Sequence, residues 1–435
     1  MLIEFKVSNF RSIGEEQVLS LIPASSQKEY QDNIITDGKN EALNAIAVYG
    51  ANGSGKSNLL RAIKHFESIV RNSSSTSSTS KLNYDPFLLR EGWAVKPTSF
   101  ELTFSLNELR YRYGFEYNES AILKEYLFRK AVGREVNVFQ REGDVIDPSS
   151  TLKGNAKLIE AAIEGTRDNA LFLSMMDTLN VEEASEVFTA LGLIMYVHGN
   201  SVNHLGSLST LWGDVMKPIV NKHLERFKLG LVGVRGEIEP YGYSSISDKE
   251  TGYRVFAEHK VYDANGQPTG KLLSWDFMER ESNGSINALG MTAPILYAIS
   301  TGGILIIDEI EANMHPLITM DTINLFLNKE TNPKDAQLIF ATHDTNLLSY
   351  CELRRDQIYF AEKNKWESTE IYSLSDFVYV NETDGKESKE RPDTDKEKRY
   401  IEGRYGAVPV LGPMAKLQSR KNGWRSAMTS KDKRI

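Results

Sequence analysis

The stretch Tyr49-Gly50-Ala51-Asn52-Gly53-Ser54-Gly55-Lys56-Ser57 most narrows what this chain can fold into. Gly50, Gly55, Lys56 and Ser57 fit the phosphate-loop spacing G-x-x-x-x-G-K-[ST], which needs a buried strand before it and a helix after it. Both flanks comply. Ala45-Ile46-Ala47-Val48-Tyr49 reads as a short buried strand, and Asn58-Leu59-Leu60-Arg61-Ala62-Ile63 as the first turns of a helix. Glycines let the backbone aim its N–H groups at phosphate oxygens, and the helix N-terminus adds partial positive charge. The expected chemistry is binding of ATP or GTP by Gly50, Asn52, Gly53, Ser54, Gly55, Lys56, Ser57 and Asn58. Lys56 is expected to reach the β- and γ-phosphates, and the Ser57 hydroxyl to ligate Mg²⁺.

A second motif lies about 250 residues downstream. Gly303-Ile304-Leu305-Ile306-Ile307-Asp308-Glu309 is a continuously apolar strand ending in two acids, which suits a central parallel strand whose C-terminal edge meets the nucleotide. Asp308 is expected to hold Mg²⁺ directly or through water, and Glu309 to polarise the attacking water. Ala336-Gln337-Leu338-Ile339-Phe340-Ala341-Thr342-His343-Asp344 repeats the pattern, a buried strand with a polar tip at His343. Just before the acidic strand, Ser282, Gly284 and Ser285 open a helix, an arrangement suited to holding an anion at its N-terminus. His315 is expected to cap the helix after the acids rather than to ligate metal.

The rest of the chain fills in around these motifs. Leu2 to Phe10 alternates like a half-buried strand with Glu16 to Leu21 as its hairpin partner, and Ser99 to Leu106, Leu109 to Tyr117, Ala121 to Lys130 and Glu135 to Arg141 read as an antiparallel meander. Asn72 to Ser80, almost all Ser and Thr, is expected to be a mobile loop. Leu152 to Phe227 reads mainly as helices, and its His198, His204 and His223 show no metal-ligand spacing and are expected to be surface or satisfied core residues. Leu229 to Ile238 and Tyr253 to Tyr262 are expected to return as strands to the sheet, with a further hairpin from Leu353 to Lys363 and Ser368 to Leu374. Asn381 to Arg399 is charged and expected to be solvated, whereas Lys416 to Arg434 is basic and suits either an acidic partner, nucleic acid or mere solubility.

Composition excludes several classes. A formal net charge of −8 means that nucleic-acid contact must come from a local patch, so such a partner is possible but not indicated. Cys351 is the only cysteine, which rules out a disulfide framework and a thiolate zinc cluster and fits a reducing cytoplasm. Glu4 and Lys6 interrupt any signal sequence. The apolar run from Ala288 to Ile307 is divided by Ser300-Thr301-Gly302-Gly303, so a buried helix followed by a buried strand is expected, and no membrane span.

Taken together, Tyr49 to Asn58, Glu281 to Ser285, Ile307-Asp308-Glu309, Ala341 to Asp344, Arg354 to Ile358 and Gly403-Arg404-Tyr405-Gly406-Ala407-Val408-Pro409 resemble a particular group. They look like the prokaryotic AAA-family ATPases with an ABC-type head found in abortive-infection and other anti-phage systems, related to the overcoming-lysogenisation-defect ATPases. The resemblance implies an α/β fold: an ABC-type ATPase head, with a mixed or parallel sheet, flanking helices and an antiparallel β-meander, plus an inserted compact helical lobe. It divides the chain into residues 1–150 (first half of the head), 151–228 (helical lobe), 229–380 (second half of the head) and 381–435 (charged stretch, turn-rich motif and basic tail). It implies ATP and Mg²⁺ as ligands, Glu309 and His343 as catalytic, and Ser57 and Asp308 on the metal. Ser282, Gly284 and Ser285 are then a divergent signature loop that meets the γ-phosphate held by a second copy, making a homodimer or higher homo-oligomer. Arg11, in the strand ending Asn9-Phe10-Arg11-Ser12, either approaches the nucleotide by that resemblance or sits in a surface turn. The glutamine that ABC ATPases carry after the first helix has no evident equivalent.

The function implied is an ATP-hydrolysing sensor or scaffold controlling a separately encoded nuclease or toxin, since the chain leaves no room for the toprim nuclease of its two-domain relatives. A DNA recombination or repair ATPase and an ATP-binding toxin inhibitor are the alternatives, separable by stimulation with DNA ends and by slow turnover with a stably bound neighbour.

Overall fold

The structure is a computed structural model that describes residues 1–199, 217–238, 253–380, 387–389 and 394–409. The basic tail, His204 and much of the charged stretch from Asn381 lie outside the described residues.

The chain opens with the hairpin β1 (Leu2–Ser8) and β2 (Gln17–Ser20), then a smaller one, β3 (Ile34–Asp37) and β4 (Asn40–Leu43). Strand β5 (Ala45–Tyr49) leads through the glycine-rich turn into α1 (Lys56–Asn72). The meander follows: β6 (Thr98–Leu106), β7 (Leu109–Tyr117), β8 (Ile122–Lys130), β9 (Val136–Glu142) and β10 (Val145–Pro148). Next come α2 (Ala156–Gly165), α3 (Phe172–Thr178), α4 (Glu182–Leu191), β11 (Ile194–His198) and α5 (Lys217–Glu225). Strands β12 (Gly233–Ile238), β13 (Tyr253–Tyr262) and β14 (Pro268–Asp276) precede α6 (Phe277–Arg280) and α7 (Asn283–Thr301). The last third holds β15 (Ile304–Asp308), α8 (Pro316–Leu327), β16 (Gln337–Ala341), α9 (Leu347–Tyr350), β17 (Ile358–Lys363) and β18 (Thr369–Ser373). It ends with β19 (Val378–Val380), β20 (Glu387–Lys389) and α10 (Lys396–Ile401).

Two large sheets sandwich α1. One is antiparallel, in the order β10-β9-β8-β7-β6-β1-β2; the other runs β11-β15-β16-β5-β17-β18 and is parallel except for β18. Strands β5, β15 and β16 are buried at every residue, as continuous apolar runs must be when both faces are covered. On one face, Leu59, Leu60, Ile63, Phe66 and Ile69 of α1 share a core with Ile46, Val48, Ile306 and Ile339. Phe66 stacks on Phe115 at 5.4 Å and meets Phe100 edge-on at 6.2 Å, which locks α1 to the meander. Each such fully buried side chain stabilises by roughly 1.5–3 kcal/mol. On the other face, Leu305, Ile307, Leu338 and Phe340 pack with residues of α7, α8 and the segment ending at Ala407. Buried Gln337 ties the sheets together, donating to the carbonyls of Leu2 and Leu43, each at 2.9 Å. Among the described residues no helix is long and apolar enough to cross a membrane.

Three expectations need correction. The compact helical lobe expected over 151–228 is interrupted: Ile194 to His198 form a strand that joins the parallel sheet beside β15. Ile194 and Val197 are β-branched and Tyr196 is aromatic, Gly192 and Gly199 flank the run, and in so short an apolar run periodicity does not separate strand from helix. Strands β12 and β13 do not rejoin the main sheet; with β14 they make a three-stranded antiparallel sheet of their own, in register from Gly233 opposite Glu258. The serine-rich run is tied down rather than free. Buried Ser73 accepts from the Leu171 backbone N–H, Arg167 donates to the carbonyls of Ser74 and Thr76, and Asn169 donates to those of Ser77 and Ser80.

Candidate functional site

Three segments far apart in sequence meet at the C-terminal edge of the parallel sheet, where β5, β15 and β16 all end. The turn from Gly50 to Gly55 depends on two glycines that no other residue can replace. Gly50 sits at φ 153°, where an added Cβ would lie 2.4 Å from the carbonyl oxygen of Ala361; Gly55, at φ 106°, would bring one to 1.9 Å from Thr369 Oγ1. Thr369 braces the turn by donating to the Ser54 carbonyl at 2.9 Å, and Ser12, 2.9 Å away, is reached in turn by the Asn58 amide at 2.8 Å. Ser54 is buried, whereas Asn52 and Gly53 form the exposed tip.

Lys56 folds back into the turn it starts from. Its ammonium donates to the carbonyls of Gly50 at 2.7 Å and Ala51 at 3.1 Å, and stands 3.5 Å from His343 Nδ1. Burial pulls this ammonium down to about 8, against the opposing pull of Asp308, Glu311 and Glu309. His343 is lowered as well, by burial first and by the Lys56 charge second. Ser57 Oγ donates to Asp308 Oδ1 at 2.9 Å, and Asp308 is completely buried.

Glu309 follows at φ 59°, a left-handed conformation uncommon for a side chain of its size. The turn is held by the Gly199 N–H donating to the Asp308 carbonyl at 2.7 Å, so closely that a Cβ on Gly199 would meet the Glu309 carbonyl at 2.0 Å. Glu311 then reaches across to β16, accepting from Thr342 Oγ1 at 2.8 Å and from the His343 backbone N–H at 2.7 Å. It fixes the loop that carries His343. As expected, His315 caps α8, accepting the Leu317 N–H on Nδ1 at 3.2 Å.

Not every expected residue joins this cluster. Ser282 caps α7, accepting the Ser285 N–H at 3.1 Å, and the two hydroxyls lie 3.0 Å apart. Their neighbours are Ala312, whose carbonyl accepts from Asn287, and Asn313, whose carbonyl lies 3.2 Å from where a Cβ on Gly284 would sit. Ser282 is exposed and Ser285 buried, so the turn shows its outer edge to solvent. Arg11 is drawn aside: its guanidinium pairs with Asp85 at 2.8 Å and lies over the Phe10 ring, while the adjacent Ser12 touches Asn58. Arg11 is exposed in this turn.

The residues present fit a magnesium nucleotide. Asp308 and Ser57 offer hard oxygen donors side by side, and Mg²⁺ in phosphate sites takes only one or two protein ligands, completing its shell with water and phosphate. Among the described residues no cluster of three or more His, Cys, Asp or Glu could hold a metal ion on its own. Lys56, with loop carbonyls standing in for phosphate oxygens, is placed to exchange them for a triphosphate.

Residues 45–153 and 253–349 match the family described as "AAA domain, putative AbiEii toxin, Type IV TA system". Over these two segments, which together make up less than half of its length, the chain is similar to an AAA-type domain. The matched segments contain Gly50 to Asn58, the Ser282 turn, Asp308, Glu309 and His343, whereas Arg11 lies outside them. No curated protein matches the chain.

Ser12, Thr369 and Glu311 escaped sequence reasoning because each works through a backbone or hydroxyl contact made only in the folded chain. Glu311 left one signal, an acid two residues past the Asp308-Glu309 pair.

Proposed function

We propose that this chain is a Mg²⁺-dependent ATPase that closes head to tail with a second copy around ATP and so controls a separately encoded effector of a toxin–antitoxin or abortive-infection system. The observation that carries the ATPase reading is the meeting of Lys56, Ser57, Asp308 and His343 from three separated segments at one sheet edge. The effector reading rests on the toxin–antitoxin context of the matched family. Pairing is favoured by the Ser282 turn, whose outer edge is exposed to solvent beside Asn313.

Within such a pair the loop N–H groups and Lys56 bind and orient the triphosphate. Ser57 and Asp308 would hold Mg²⁺, which would supply neutralisation of the charge on the triphosphate. Glu309 accepts the proton of the attacking water, and His343, held by Glu311, hydrogen-bonds the γ-phosphate and registers its loss. The Ser282 turn of the partner supplies contacts present only while the γ-phosphate remains, the differential affinity a two-state switch needs.

Two variants test this. Glu309→Gln is expected to bind ATP normally, to turn over about 10²- to 10⁴-fold more slowly and to accumulate as a dimer by light scattering with ATP. Lys56→Ala is expected to lose ATP binding. Unchanged turnover in Glu309→Gln would remove Glu309 from the catalytic role, and ATP-stimulated pairing that appears only with DNA ends would favour the recombination alternative.

A further inference from the structure

The edge strand β11 contributes to the acid pair in a way that the motifs do not anticipate. It runs parallel to β15 with Tyr196 opposite Ile306 and His198 opposite Asp308, so both side chains stand on the face that carries α1 and Asp308. Tyr196 donates its hydroxyl to Asp308 Oδ2 at 3.1 Å, while Oδ1 receives Ser57. Both carboxylate oxygens are therefore held. The phenol itself is pinned by Lys64, whose ammonium lies 5.0 Å from the ring centre. Two residues on, His198 Nε2 lies 3.9 Å from Glu309 Oε2, and the following Gly199 anchors the Asp308 carbonyl.

We infer that Tyr196 and His198 are positioning residues for the acid pair: Tyr196 fixes the carboxylate of Asp308 in the orientation that presents Oδ1 beside Ser57, and His198 fixes the carboxylate of Glu309. A carboxylate at a metal site keeps its geometry through the hydrogen bonds made by its other oxygen, and removing such an outer partner typically costs about 10- to 100-fold in metal affinity or activity. Tyr196 occupies that outer position, and β11 brings its own glycine to clamp the turn that aims Glu309. The inference rests on the ATPase reading and specifies which residues shape its metal side.

The test uses the full chain with a non-hydrolysable ATP analogue and Mn²⁺ as a spectroscopic substitute for Mg²⁺. Tyr196→Phe keeps the ring under Lys64 and removes one hydroxyl. It is expected to weaken Mn²⁺ binding in the nucleotide complex about 10- to 100-fold, read from free Mn²⁺ by electron paramagnetic resonance, while leaving metal-free nucleotide affinity at the parental value. His198→Ala is expected to lower kcat about tenfold with KM unchanged, and His198→Gln, which keeps a polar side chain beside Glu309, to recover most of it. Parental Mn²⁺ affinity in Tyr196→Phe would overturn the role of Tyr196, and parental kcat in His198→Ala that of His198. A parent that binds no nucleotide would instead bring down the ATPase reading, and this inference with it.

Discussion

The two parallel-packed and free-standing sheets of this molecule differ in depth. In the six-stranded sheet, β5, β15 and β16 are buried at every position and have a hydrophobic cluster on each face. In the three-stranded sheet, β14 is exposed along most of its length, with Leu272 and Leu273 both open to solvent, and the small core beneath it consists of Val234, Val255 and Ala257 packed on residues of α5, α6 and α7. Helix α7 belongs to both. Its first turns, with Ile286 and Leu289, pack on the small core, and its later residues Met291, Ile295 and Ala298 on the large one. The residues that would grip a triphosphate in this chain are thus mounted on the deep sheet, whereas the Ser282 turn begins where the shallow unit ends. Trp275 of β14 and His259 of β13, stacked at 4.1 Å, both reach the Glu281 carboxylate next to that turn at 2.9 Å. Local stability tracks burial, so parts that must move are drawn from the shallow end.

The largest effect expected to sharpen this contrast comes from Gly55→Ala. The new Cβ would fall within 1.9 Å of Thr369 in a backbone conformation already at φ 106°, a combination of clash and strain on the order of 2–6 kcal/mol. Nucleotide binding, measured by isothermal titration calorimetry, should disappear, and the melting temperature should drop. Next come paired truncations. Phe340→Ala, in the deep sheet, is expected to cost about 3–5 kcal/mol of global stability in urea melts. Phe277→Ala, in the small core, should instead abolish amide protection in β12 to β14 while shifting the main transition much less; equal global losses would break the distinction.

A smaller, pH-dependent effect is expected in the shallow unit. His223 of α5 is buried against Phe227, and burial lowers its ionisation from the usual 6.5 to about 4. Between those values the unfolded segment binds the proton and the folded one does not, so the stability present above pH 6.5 is lost as pH falls toward 4, to an extent of up to about 3 kcal/mol. Amide protection across Lys217–Glu225 should fall at pH 5, after correction for intrinsic exchange. Least of all, Leu272→Ser with Leu273→Ser should change stability by no more than about 0.5 kcal/mol, since neither side chain is buried.

Residues with an imposed conformation or a continuous apolar run could be read directly. Gly50, Gly55, Lys56 and Ser57 announce a turn by their spacing, and Ile304 to Ile307 and Leu338 to Ala341 announce deep strands because they have no polar face. The meander was equally plain, its strand ends falling within a residue or two of those expected, since Asn107-Glu108 and similar turns punctuate alternating segments. Strand β14 was not, because a strand exposed on both faces carries no alternation. Nor was β11, whose partner lies more than 100 residues away. Tyr196 and Glu311 shared that obstacle: each acts on a residue made adjacent only by the parallel sheet, and pairing of that kind leaves no local trace.

The strand order also sets a timetable for synthesis. The glycine-rich turn leaves the ribosome early, but its neighbours in the sheet, β16 and β17, and the acids on β15 are translated some 250–300 residues later. At about 5–20 residues per second, that delay amounts to roughly 15–60 s. For that interval the nascent meander and α1 present, with no sheet to cover it, the apolar face that Ile306 and Ile339 will later close. A growing chain of this design is therefore a natural client for chaperones that bind emerging polypeptides, and its first half expressed alone should aggregate.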